Sequence, residues 1–127
     1  MENSRKEKMK QDIIKEYTLR SSNNKKDMLD LLEDYVINFF GLPLGIDTLE
    51  RNEKQMSYNI FNNYICFDYQ ESRIEVRYKN GNHNEEYAGD IIFGNAKPSW
   101  ETVNGGVVDF ELSKIDNIME KAFKIKD

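Results

Sequence analysis

The sequence predicts an α+β fold in two layers: two N-terminal helices, an antiparallel meander of three to five strands, and a C-terminal helix packed on one sheet face. Three patterns predict it. Apolar residues recur at three- and four-residue spacing over 25–40, they alternate over 73–79, and helical spacing returns after 113. At 127 residues, 39% of them hydrophobic, the chain is large enough to bury a core and fits a single domain spanning 1–127.

The first helix is expected over about 3–20. Met9, Ile13 and Tyr17 recur every fourth residue with Ile14 beside them, a narrow apolar stripe. Residues 1–8 are almost all polar and read as a frayed basic lead-in. Ser21 to Asn24 break this helix, because their side chains compete for backbone hydrogen bonds. A second helix follows over 25–40, with Asn24 or a neighbour as N-cap and Asp27 and Asp30 near the positive end of its dipole. Met28, Leu31, Leu32, Tyr35, Val36, Phe39 and Phe40 make a wide stripe suited to burial. Gly41 and Pro43 then supply a stop.

Residues 41–54 read as a connection with short helical content. Strands are expected from Gln55, from Tyr64, over 73–79 and over 86–93. Asn62-Asn63, Gln70 to Ser72 and Asn80-Gly81 supply the turns. In the third of these strands Ile74, Val76 and Tyr78 share one face, and Arg73, Glu75, Arg77 and Lys79 the other. Residues 94–106 read as a long loop holding the single Trp, and 107–112 as a short edge strand. Ser113 caps a last helix whose stripe is Ile115, Ile118, Met119, Ala122 and Phe123.

Charge divides the chain. Residues 1–26 carry eight basic and four acidic groups, whereas 27–54 carry two basic and seven acidic, within a total of -5. No apolar run approaches the ~18 residues of a membrane span, and the start MENSRKEKMK lacks the apolar stretch of a secretory signal. One cysteine, Cys66, excludes an intrachain disulfide framework. A cytoplasmic protein is expected.

No group of residues has the spacing that catalysis needs. His83 stands alone in a turn. Zinc sites draw on several His or Cys, and here there is one of each. Asp68 with Glu75-Val76-Arg77 bears comparison with the acidic residue and E-x-K triplet of restriction-type nucleases, but Arg stands where Lys is usual. Phosphate-cradling glycine loops are absent. The chain therefore reads as no enzyme, with no cofactor and no metal. It reads instead as a protein that binds another protein, a nuclease or other nucleic-acid enzyme being the partner its acidic charge suits.

Two features mark where such a partner would bind. Trp100, between Pro98 and Gly105-Gly106, is either an exposed anchor or a lid on the core. The acidic residues Asp27, Asp30, Glu33, Asp34, Asp47, Glu50 and Glu53 form the second candidate surface. An alternative assigns nucleic-acid binding to the basic first helix through Arg5, Lys6, Lys8, Lys10, Lys15 and Arg20. The acidic body makes that alternative the weaker one. The narrow stripe of that helix also leaves a homodimer open. In composition this small, acidic, Asn- and Lys-rich chain resembles the proteins that phages and mobile elements encode against host defences, such as anti-CRISPR proteins, and bacterial toxin-immunity proteins. The resemblance rests on no motif and transfers no site residue; it implies an inhibitor that occupies a partner's surface.

Overall fold

A computed structural model describes residues 2–40, 49–94 and 96–124, except the side chains of residues 2, 3 and 40. Gly41, Pro43 and Asp47 lie outside the described residues. The elements are α1 (Glu2–Ser21), α2 (Lys25–Phe40), β1 (Leu49–Arg51), β2 (Gln55–Ile60), β3 (Asn63–Gln70), β4 (Arg73–Lys79), β5 (Glu86–Ile92), β6 (Ser99–Glu101), β7 (Val107–Asp109) and α3 (Ser113–Ala122). The strands form one antiparallel sheet in sequence order, as a meander requires. The α+β class stands, but the sheet has seven strands where three to five are expected. The two extra short strands, β1 and β6, fall in segments whose turn-rich composition reads as loop.

Local chemistry explains most boundaries. Asn24 caps α2: its Oδ1 accepts from the Asp27 backbone N–H at 3.0 Å, while its Nδ2 donates to Asp27 Oδ2 at 2.8 Å. At α3 the expectation fails by one residue. Leu112 occupies the cap position with no side-chain hydrogen bond, and Ser113 opens the helix. The other end of α3 is closed by Asn80, whose Nδ2 donates to the carbonyls of Ala122 and Lys124 at 2.8 and 3.0 Å. The β2–β3 turn lies one residue earlier than Asn62-Asn63 suggests: Phe61 and Asn62 take the positive φ values, 51° and 67°.

The core fills the space between one sheet face and helices α2 and α3. Met56, Tyr58, Ile65, Phe67, Ile74, Val76 and Ile91 point inward from the sheet. Met28, Leu32 and Val36 meet them from α2, and Ile115, Ile118 and Met119 from α3. The alternation predicted for 73–79 holds, with Ile74 and Val76 fully buried. Tyr58 donates its hydroxyl to the Glu33 carbonyl at 3.1 Å, which satisfies the one polar atom it carries inward.

Trp100 belongs to this core. It is 5% exposed, lies opposite Ile91, and packs against Phe110 with ring centroids 6.0 Å apart. The exposed anchor that the sequence leaves open is not there; a strand, rather than a loop, carries the indole inward. Gly89 makes the room. A Cβ there would stand 2.3 Å from Trp100 Cζ2, and its φ of +149° disfavours any side chain. The register of β4 with β5 shifts beside it, between Val76 and Arg77.

Candidate protein-binding surfaces

Helix α1 turns its chemistry inside out. Of its described side chains only Leu19 joins the core. Its body-facing side is polar: Asp12, Lys15 and Glu16 line a groove of about 430 Å³ against Tyr35 and Leu112. Lys97 reaches Glu16 across this side at 3.6 Å. At 100° per residue the stripe lies on the opposite side, and Met9, Ile13, Ile14 and Tyr17 are 62–73% exposed. All six basic candidates, Arg5, Lys6, Lys8, Lys10, Lys15 and Arg20, are exposed. Because Ile13 touches little, Ile13→Asp is expected to change stability by no more than about 0.5 kcal/mol, as read from denaturant midpoints.

Among the described residues the acidic candidates do not gather into one surface. Asp27 is spent on the α2 cap. Asp30 and Glu33 are tied to Arg51 at 2.7 and 3.1 Å, and the Arg51 hydrogen bond, with that of Lys26, holds the Asp30 carboxyl below its ordinary range. Asp34 and Glu53 are exposed at separate places, on α2 and between β1 and β2. Of the described acidic candidates, Glu50 alone reaches the second sheet face, through its pairing with Ser57.

That second face, away from α2 and α3, is where register assembles charge. Asp68 lies opposite Glu75, Glu75 opposite Asp90, and Asp90 opposite Glu101. Four carboxylates thus stand in a row across four adjacent strands. Like charges directly opposite are destabilising, and two arginines relieve them only in part. Arg73 Nη1 bridges Asp90 and Glu101 at 2.8 and 3.0 Å. Arg77 donates to Asp68 at 3.3 Å and lies 3.8 Å from Glu75 and 3.7 Å from Glu85. Asp90 Oδ1 and Arg77 Nε are buried without a well-formed hydrogen bond.

Beside this row a shallow depression of about 280 Å³ is lined by Glu50, Gln55, Tyr64, Cys66, Arg77 and Glu85. The Tyr64 hydroxyl donates to Glu85, and burial with that contact pushes the phenol up to about 12. The same causes, burial and Asp90, push Tyr87 up to about 12. Both phenols therefore stay protonated donors at neutral pH. Burial also pushes the Cys66 thiol up, so it is not an activated nucleophile. His83 sits exposed in the β4–β5 loop. Among the described residues no three His, Cys, Asp or Glu side chains converge as metal ligands, and no helix is long and apolar enough to cross a membrane.

The sequence contains half of the row. Once a two-residue turn is placed at 71–72, Asp68 must face Glu75. Asp90 is aligned only by the register shift beside Gly89, and Glu101 only by a three-residue strand within a turn-rich stretch. Compared with known protein families, curated proteins and solved structures, the chain matches none.

Proposed function

We propose that the protein is a small inhibitor that binds another protein, occupying a basic surface of a nucleic-acid enzyme. One observation carries this reading: the row Asp68, Glu75, Asp90 and Glu101 on the sheet face that α2 and α3 leave uncovered. Like charges directly opposite are destabilising, and the four carboxylates outnumber the two arginines that bridge them. Its repeat is the interstrand spacing of about 4.8 Å, which makes it a line of closely spaced negative charge, as a nucleic-acid strand also is. A groove built to neutralise phosphates would meet a similar line of charge, and opposite potentials would steer the encounter. An inhibitor of anti-defence type, anti-CRISPR-like in its action, fits this chemistry, and a toxin-immunity protein acting on a nuclease would use it in the same way.

The test compares the wild type with a neutralised variant, Asp68→Asn, Glu75→Gln, Asp90→Asn and Glu101→Gln, in capture from a bacterial lysate. The wild type is expected to retain a nucleic-acid enzyme that excess duplex DNA displaces, and the variant to lose it while remaining folded. Equal capture by both, or capture indifferent to competing DNA, overturns the reading. The exposed cations of α1 favour a second reading, a nucleic-acid-associated regulator. Direct binding to a defined duplex that weakens steeply between about 50 and 200 mM salt would support it, and no binding at low salt would end it.

A further inference from the structure

The tip of the β2–β3 hairpin joins two unfavourable features in one residue. Phe61 has φ +51° and, at 84%, is the most exposed large hydrophobic side chain among the described residues. A two-residue hairpin turn with both central φ values positive strongly prefers Asn-Gly, and a bulky side chain with φ above zero is an outlier that needs a reason. Neither packing nor turn chemistry supplies one. The β3–β4 turn has the same pattern, φ +43° and +75°, with Glu71 and Ser72, so this fold makes such a turn with polar residues. The tip is also held without the ring: Asn63 Nδ2 donates to the Ile60 carbonyl at 3.1 Å and Asn62 Nδ2 to that of Gly81 at 3.4 Å.

We infer that Phe61 is an interaction anchor that enters an apolar pocket of the partner, and that this pocket borders the partner's basic surface. The inference rests on the reading that the acidic face docks a protein. Between the tip and the carboxylate row lies the depression lined by Asn59, Tyr64 and Glu85. At about 3.3 Å per residue the row is roughly 20 Å from the tip. A standard interface of about 800 Å² per partner is roughly 30 Å across, so one footprint holds both. Aromatic anchors in desolvated pockets dominate binding energy, and polar surroundings fix orientation.

The test uses Phe61→Asn and, separately, the photoreactive p-benzoylphenylalanine at position 61, with bacterial lysate as the source of partner. Phe61→Asn is expected to melt at or above the wild-type temperature, by up to roughly 6 °C, while at least tenfold less partner is captured. Irradiation is expected to join position 61 to an apolar segment of that partner. A lower melting temperature makes Phe61 structural and overturns the inference. If the neutralised row abolishes capture but Phe61→Asn does not, or if no crosslink forms at 61, the anchor fails while the proposed function stands. If the wild type captures nothing, both fail.

Discussion

Trp100→Ala is expected to destabilise the fold by about 3–5 kcal/mol, which lowers the melting temperature by roughly 10–20 °C. The indole is nearly enclosed, between Ile91 on the neighbouring strand and Phe110, so its removal leaves a cavity that β6, held between β5 and β7, cannot collapse. Gly89→Ala should be damaging for the complementary reason. The new methyl would overlap Trp100 Cζ2 at 2.3 Å and approach the Glu101 carbonyl oxygen at 2.8 Å, at a backbone angle suited to glycine. Overpacking and backbone strain together make about 2–5 kcal/mol. The two sites touch, so their effects should not add. In the Trp100→Ala background the ring clash is gone, and only the carbonyl contact and the φ strain remain. Gly89→Ala should then cost less than in the wild type by about 1 kcal/mol or more. Denaturant titrations of the four proteins check this. Strict additivity would mean that the indole does not lie over Gly89.

The same pair shows what can be read from a sequence and what cannot. Periodicity needs only nearest neighbours along one element, and so it identifies α2, the inward residues of β4 and the stripe of α3. The fate of Trp100 depends on a strand of three residues, too short to alternate visibly, and on a glycine eleven residues earlier that leaves room for the ring. The stripe of α1 is visible in the sequence too, but an apolar stripe ordinarily implies burial. Here the sign is reversed: Asp12 and Glu16 face the body, while Ile13 faces water. Among the site candidates, alternation places Glu75 and Arg77 on one face. The charge row is a property of register, set by two turns and one register shift, and composition counts acids without saying which of them are neighbours. Asp30 and Glu33 are close in sequence and bridged by Arg51, with Lys26 also on Asp30. Asp68 and Glu101 are far apart in sequence and belong to the same line.

Arg73→Met should act on stability and on binding in opposite directions. Arg73 Nη1 holds Asp90 and Glu101 together. The Asp90 side chain is only 10% exposed and its Oδ1 already has no well-formed hydrogen bond. Without the guanidinium a buried carboxylate is left between Glu75 and Glu101. Arg73 is 42% exposed, so solvent screens the pair, and the loss stays well below that of breaking a fully buried one. Part of that loss is repulsion, so it should shrink in 1 M salt, where the Debye length is about 3 Å. It should shrink as well when Glu101→Gln is added, since the amide removes one of the two like charges. Arg73→Lys should recover less than full stability, because a single ammonium cannot reproduce the shared guanidinium contact. The same substitution makes the face one charge more negative. If the row meets a basic surface, the variant at low salt should associate faster with the captured partner, although it melts earlier. A purely structural role for Arg73 predicts that binding falls along with stability. A variant that is neutral in stability and insensitive to salt would mean that the four carboxylates do not repel one another, and the argument that the row exists for a partner would lose its ground.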